Sequence, residues 1–138
     1  MKTYEVIEHT ADIGIRVEGA TLKELFEKSG LALFQLSAEK LSAVSNEKHE
    51  ITVNQRANDI EELFVNWLNE LLSLSATEGL IFEKIHVSAI SENSVEAVAV
   101  GSDMKNYKVN REIKAATYHM LKVVKTDHGW QAEVIFDV

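Results

Sequence analysis

The segment EHTADIGI at residues 8–15 gathers side chains that could bind a metal ion or move a proton. Glu8, His9 and Asp12 lie between apolar residues, where a simple connection between two strands would need only turn residues. Carboxylate and imidazole groups are the usual ligands of divalent metals. A turn aspartate that bonds its own backbone explains Asp12 equally well. For an isolated histidine, a hydrogen-bonded structural role is the more common one.

The last two residues offer a second group of oxygen ligands. Asp137 is followed by Val138, whose α-carboxylate would end the chain, so two carboxylates would lie one residue apart. If Asp12 lay beside them, the three groups would form an oxygen-rich site suited to a hard cation such as Ca²⁺ or Mg²⁺. A transition metal bound through His9 or His119 is the alternative. The spacing in sequence does not bring Asp12 to Asp137, and a solvated chain end explains Asp137 alone.

A C-terminal hairpin would place one histidine near this group. If Asp127, His128 and Gly129 form a three-residue turn, Thr126 pairs with Trp130 and His119 lies opposite Asp137. Residues paired in this way have Cβ atoms about 5 Å apart. A slip of one residue would break this pairing and reverse the faces of the strand.

Other chemical signatures are weak or absent. Arg111, Glu112 and Lys114 could contact a partner, although a solvated strand entry is the simpler interpretation. The chain has no phosphate-binding glycine loop, no nucleophile elbow and no HExxH zinc motif. Because it has no cysteine, disulfides, zinc–thiolate sites and thiol catalysis are excluded.

Hydrophobic periodicity predicts the elements that would position these residues. Alternation predicts strands at 4–9, 13–18, 49–56, 81–91, 94–101, 115–126 and 130–138, and helical spacing predicts helices at about 21–37 and from 58 or 59 to 79. Residues 38–48 and 102–110 are polar and are expected to be connections. The order predicts an α+β fold, a two-layer sandwich in which two helices cover one face of a mostly antiparallel sheet. We expect a single domain over residues 1–138.

Composition and charge limit the cellular location and the partners that we expect. Hydrophobic residues make up 46% of the chain, but no apolar run approaches the length of a membrane span. The N-terminus alternates and does not resemble a signal peptide, so we expect a cytoplasmic protein. The net charge of −8 repels phosphate backbones and disfavours tight nucleic-acid binding. That charge favours cations or basic partners, or simply keeps the protein soluble.

Four segments taken together resemble the archease family, and they span nearly the whole chain. They are EHTADIGI (8–15), ELFVNWLNELL (62–72), REIKAATYHMLKV (111–123) and AEVIFDV (132–138). The resemblance implies a two-layer α/β protein with a metal site on Asp12, Asp137 and Val138, filled by a divalent ion such as Ca²⁺. It makes Lys114 and His119 candidates for supporting or partner-contact roles, to which we add His9 from its place in the first segment, and we expect no catalytic residue.

The resemblance also implies a function. Archeases are protein cofactors of the tRNA-splicing RNA ligase, which joins 2′,3′-cyclic phosphate or 3′-phosphate ends to 5′-hydroxyl ends. They promote guanylylation of the ligase, allow multiple turnover and broaden its use of nucleotides. Two alternatives remain open. One is a metal-dependent hydrolase with His9 or His119 as base. The other is a chaperone-like binding module with exposed apolar surface.

Overall fold

A computed structural model describes residues 3–8, 12–42 and 46–138 of the chain, with the backbone alone for Glu8. Within these ranges there are two α-helices and ten strands. In chain order they are β1 (Tyr4–Glu8), β2 (Ile13–Gly19), α1 (Leu22–Ser37), β3 (Ala38–Lys40), β4 (His49–Arg56), α2 (Ile60–Glu78), β5 (Leu80–Ile90), β6 (Ser94–Asp103), β7 (Tyr107–Val109), β8 (Ala115–Ala116), β9 (Lys122–Thr126) and β10 (Gly129–Asp137). A short 3-10 helix precedes β7.

The ends of both helices follow from local chemistry. Thr21 is the N-cap of α1, and its hydroxyl accepts a hydrogen bond from the Glu24 N–H at 3.1 Å. Asp59 does the same for α2, accepting from the Glu62 N–H at 2.9 Å. Gly79 ends α2 in the left-handed conformation, at φ 67°, which glycine adopts without steric cost. The predicted helix limits are therefore confirmed.

The strands form three antiparallel sheets in the described part of the chain. The largest has the order β1-β2-β10-β8, and β9 pairs with the same edge of β10 as β8 does. A second sheet has the order β4-β6-β5, and β3 pairs with β7 in a third. The hairpin β5–β6 turns at Glu92 and Asn93, as the sequence predicted.

Both helices pack against the two larger sheets. Helix α1 contacts β2 and β5, whereas α2 contacts β4 and β8. The helices meet where the Trp67 Nε1–H donates to the Phe26 carbonyl at 3.0 Å, beside an edge-to-face contact of Phe26 with Phe64. These side chains are fully buried and form the centre of the core. The α+β, two-layer and mostly antiparallel prediction is confirmed.

The C-terminal hairpin differs from its predicted register. Gly129 itself pairs with Thr126, so the turn contains two residues, Asp127 and His128. A Cβ atom on Gly129 would lie 2.3 Å from the Gly19 carbonyl oxygen, and its φ is 137°, so this pairing position requires glycine.

The first strand of that hairpin is also interrupted. Between β8 and β9, Met120 has a positive φ of 53° and the chain leaves the sheet. Asp137 therefore pairs with Ala115 instead of His119, and the predicted pairing of Asp137 with His119 is wrong.

The predicted connections at 38–48 and 102–110 contain the small β3–β7 sheet, which Glu83 ties to β5. Glu83 lies where the pairing of β5 with β6 skips one residue. Its carboxylate accepts hydrogen bonds from Tyr107 of β7, from Ser102 at 3.2 Å, from Lys40 of β3 at 3.1 Å and from Lys48. One partly buried carboxylate thus joins β5 to four other segments of the chain. Neither helix in the described ranges has the length and apolar character needed to cross a membrane.

Candidate functional site

Two of the predicted ligands lie at adjacent strand ends in the largest sheet. The antiparallel pairing of β2 with β10 ends at Ile13 and Phe136. Asp12 and Asp137 are the next residues on the two strands, so the sheet brings them to one corner although they are 125 positions apart in the sequence. Asp12 is half-buried and Asp137 is exposed. The backbone of Glu8, which pairs with Ile13, ends β1 at the same corner.

The alternation of side chains places both carboxylates on the outer face of the sheet. Ile13 and Phe136 are buried in the core, and successive residues of a strand point to opposite faces. The same outer face carries Arg16, whose guanidinium binds Glu133 at 2.6 Å and Glu5 at 2.9 Å. Hydrogen bonds from Arg16 to these two carboxylates raise its pKa.

The two corner carboxylates differ from Glu5 and Glu133, which share Arg16. Within the described residues, neither Asp12 nor Asp137 forms an ion pair. Two like charges at one corner repel each other, and an added cation would relieve that repulsion. The corner is therefore suited to a positively charged ligand.

The oxygen donors of the corner fit a hard divalent cation, but the side chains supply few of the ligands that such a cation needs. Side chains supply two carboxylates, and no group of three or more His, Asp or Glu side chains in the described ranges is placed to hold a metal. A carboxylate on Val138, directly after Asp137, would be a third oxygen ligand. Ca²⁺ and Mg²⁺ commonly complete such oxygen sets with water.

Strand β8 holds the end of β10 from its other side. The Lys114 N–H donates to the Asp137 carbonyl at 2.8 Å, and Ala115 pairs with Asp137. The Lys114 side chain is exposed. Its backbone position is thus fixed at the corner, while its ammonium group is directed to solvent.

Asn69 of α2 is a further residue at this corner, which the sequence analysis did not single out. Its side chain accepts a hydrogen bond from the Ala116 N–H at 2.7 Å and donates to the Ala116 carbonyl at 3.2 Å. The sequence contains no signal that distinguishes it, because Asn66 and Asn69 are both polar positions beside the apolar stripe of residues 60–72. Side-chain amides commonly bond the backbone of a neighbouring segment.

His119 is not paired with Asp137 and lies in an exposed turn that follows β8. Thr117 anchors the turn, since its N–H and hydroxyl both donate to the Ile135 carbonyl, at 3.0 and 2.8 Å. Tyr118 and Met120 flank His119 and are 58% and 66% exposed. Partial burial, followed by the charges of Glu62 and Asp59, raises the pKa of Tyr118, so this turn faces the acidic start of α2.

The structure therefore brings together Asp12, Asp137, Val138 and the backbone of Lys114, and it separates His119 from them. His9 lies outside the described residues. A histidine base directly beside Asp137, as a hydrolase would use it, is not provided by His119.

Comparisons with known proteins agree with this fold. The sequence model described as the Archease protein family (MTH1598/TM1083) matches residues 4–138. A protein archease of Methanosarcina barkeri is 36% identical over 143 residues, covering 99% of this chain and 97% of the relative. One from Pyrococcus abyssi is also 36% identical and is covered in full, as is this chain.

Solved structures give the same result. The solution structure of Methanobacterium thermoautotrophicum protein 1598 has a TM-score of 0.75 and 27% identity, with both chains fully covered. A crystal structure from Thermotoga maritima, described as an archease and possible chaperone, has a TM-score of 0.62 and 25% identity. It covers 96% of this chain and 94% of its own. The chain studied here belongs to the archease family.

Proposed function

We propose that this protein is a non-enzymatic activator of the tRNA-splicing RNA ligase and acts in the cytoplasm. The ligase is the one that joins 2′,3′-cyclic phosphate or 3′-phosphate ends to 5′-hydroxyl ends. The protein would promote guanylylation of that ligase, support repeated turnover and broaden its use of nucleotides. The acting part would be the corner formed by Asp12, Asp137 and Val138, with a bound divalent cation such as Ca²⁺.

One observation carries this proposal. The pairing of β2 with β10 brings Asp12 and Asp137 to one corner, and neither forms an ion pair with a described residue. Uncompensated carboxylates at a sheet edge weaken the fold, so their presence is better explained by a cationic ligand than by stability. Membership of the archease family supports the choice of a ligase as the partner.

The chemistry of the corner suits assistance of nucleotidyl transfer. A divalent cation bound there would supply positive charge for the phosphates of the nucleotide. Asp12 and Asp137 would hold that cation, and the backbone contact of Lys114 with Asp137 would keep the end of β10 in place. The exposed ammonium of Lys114 would face the partner.

The exposed turn after β8 is a suitable contact surface for the ligase. Tyr118 and Met120 are the two most exposed large hydrophobic side chains among those described, and His119 lies between them. Asp59 and Glu62 of α2 add negative charge beside the turn. A basic protein that binds RNA would complement this combination of apolar and acidic groups.

Guanylylation of a purified cognate ligase tests the proposal. Incorporation of GMP would be followed over several turnovers without the protein, with the wild type and with Asp12→Ala. Asp127→Ala is the matched control, because Asp127 is an exposed aspartate in the turn before β10, at the opposite end of the strand. We expect stimulation by the wild type and by the control, and at least a tenfold loss with Asp12→Ala.

The outcomes separate the alternatives. If Asp12→Ala stimulates the ligase as well as the wild type does, the corner does not act through a bound cation, but the protein is still an activator of the ligase. If no variant stimulates the ligase, the proposed role is wrong. Turnover of a substrate by the protein alone would then indicate a hydrolase, and suppression of aggregation of several unrelated proteins would indicate a chaperone.

A further inference from the structure

The edge of β8 that faces away from β10 is bonded by a side chain and not by another strand. Among the described strands, β8 pairs with β10 alone, and it is only two residues long. Ala116 is buried at 5% exposure, so its backbone N–H and C=O need partners inside the protein. Asn69 satisfies both groups, at 2.7 and 3.2 Å. An asparagine side chain carries the same acceptor and donor as a peptide group and can replace a neighbouring strand in this way.

This contact lies one hydrogen-bonded step from the proposed site. Ala116 pairs with Phe136, and Ala115 pairs with Asp137. The Lys114 N–H then donates to the Asp137 carbonyl at 2.8 Å. Asn69 is thus the link from the rigid helix α2, through β8, to the backbone of the carboxylate ligand.

Among the described residues, Asn69 alone makes side-chain hydrogen bonds to β8. A strand of two residues forms few pairing bonds of its own, and the turn at residues 118–121 follows almost at once. Thr117 fixes the far end of the segment through the Ile135 carbonyl. The near end, where Lys114 and Asp137 meet, has the buried Ile113 side chain on one side and the bonds from Asn69 to Ala116 on the other.

We infer that Asn69 is a positioning residue for the cation corner: by bonding both backbone groups of Ala116 it holds β8 against β10 and fixes Asp137 and Lys114 relative to Asp12. This inference rests on the proposed function for its cation-binding consequence. Its structural part, control of order at the end of β10, stands independently of any ligand. No contact between Asn69 and the cation is implied, since the residue acts through β8.

The test compares Asn69→Ala and Asn69→Asp with the wild type. The aspartate keeps the acceptor for the Ala116 N–H but turns a carboxylate oxygen toward the Ala116 carbonyl oxygen, so it should also loosen β8. Asn66→Ala is the matched control on the same helix, because the Asn66 side chain bonds the Arg56 carbonyl at 3.4 Å and forms no hydrogen bond with β8.

Two measurements are needed. Amide hydrogen exchange by NMR would follow the Lys114 N–H, with the Val98 N–H in the centre of the β4-β6-β5 sheet as the internal reference. Titration with Ca²⁺ alone, by calorimetry, would report the affinity of the corner. In Asn69→Ala we expect Lys114 exchange to accelerate at least tenfold while Val98 is unchanged. Ca²⁺ affinity should fall about tenfold, which is the lower end of the usual range for loss of a residue that supports a metal ligand.

The exchange measurement decides the inference. It is overturned if Lys114 exchange in Asn69→Ala equals that of the wild type, or if Lys114 and Val98 accelerate equally, because the residue would then serve general stability. It is also overturned if Asn66→Ala gives the same local effect. If the wild type binds no Ca²⁺, the proposed cation corner fails, while the exchange of Lys114 still decides the role of Asn69.

Discussion

Replacing Glu83 by glutamine should remove a specific part of the protein's stability that depends on pH. The Glu83 carboxylate receives hydrogen bonds from Tyr107, Ser102, Lys40 and Lys48. Glutamine keeps the shape and one acceptor oxygen but cannot carry the negative charge. The substitution therefore tests the charge of this cluster with little change in packing.

The size of the effect follows from the pKa of Glu83. Partial burial would raise this pKa, but the hydrogen bonds from Lys48, Tyr107 and Lys40 outweigh burial and lower it from 4.5 to about 2. At about 1.4 kcal/mol per pKa unit, the difference corresponds to about 3 kcal/mol. Because the side chains of Lys40 and Lys48 are 42% and 40% exposed, solvent screening reduces the expected contribution to about 1–2 kcal/mol.

The sign of the pH dependence follows from the lowered pKa. A carboxyl group whose pKa is lower in the folded state stabilises the fold above its unfolded pKa, near 4.5, and loses that effect as the pH falls toward about 2. Urea unfolding of the wild type and Glu83→Gln should thus differ by about 1–2 kcal/mol at pH 7. The difference should shrink steadily below about pH 4.5.

Glu92→Gln provides the control, since Glu92 is exposed in the turn between β5 and β6. The free energy of unfolding of Glu92→Gln should match that of the wild type at pH 7 and at pH 3. A second measurement uses Tyr107. Burial of this side chain and its hydrogen bond to Glu83 raise the pKa of Tyr107 to about 12. Titration followed by phenolate absorbance should give a lower pKa for Tyr107 in Glu83→Gln than in the wild type. A stability difference that is unchanged between pH 7 and pH 3 would refute the charge argument.

Three further substitutions should change stability in stated directions, each measured by urea unfolding. Gly101→Ala should cost about 2 kcal/mol, because the new Cβ would lie 2.7 Å from the rigid Ile81 carbonyl oxygen; a neutral result would contradict the packing of β5 on β6. Met120→Gly should stabilise by up to about 1 kcal/mol by relieving the positive φ of 53°, and Met120→Ala, which keeps that strain, should not. Trp67→Phe should cost about 2–4 kcal/mol through a cavity and the loss of the bond to the buried Phe26 carbonyl.

The helices and most strands were predictable because their signals are local. Thr21, Asp59 and Gly79 mark helix ends through bonds within one turn, and the structure has these ends. The strand at Leu80–Ile90 and its return at Ser94–Asp103 were also correct to within a few residues. In these segments, periodicity and turn chemistry indicate the same element.

The C-terminal hairpin was predicted incorrectly because its register depends on distant contacts. Gly129 takes a pairing position since the Gly19 carbonyl approaches from another strand. The strand ends after Ala116, whose outer edge Asn69 bonds from a helix, and the chain then leaves the sheet at Met120. The alternation of apolar residues through 115–126 carries no sign of either contact.

For the candidate site, the sequence supplied the ligands but not their arrangement. The resemblance to archeases named Asp12, Asp137 and Val138, and the pairing of β2 with β10 places Asp12 and Asp137 at one corner. The predicted neighbour His119 is instead in the exposed turn. Asn69 was missed because a side-chain bond to a backbone 47 positions away has no local pattern.

The claim that Asp12 and Asp137 form one cation site is tested most directly by calorimetric titration with Ca²⁺. The wild type would be compared with Asp12→Asn, with Asp137→Asn and with Asp127→Asn as the control. These changes remove one charge each and keep the shape of the side chain. A form of the protein with one glycine added after Val138 would test the contribution of the terminal carboxylate.

The account predicts one Ca²⁺ site in the wild type and in Asp127→Asn. It predicts at least a tenfold loss of affinity in each of the other two variants and a weaker site in the extended chain. Combining Asp12→Asn with Asp137→Asn should abolish binding. Unchanged Ca²⁺ affinity in Asp12→Asn and Asp137→Asn would contradict the account.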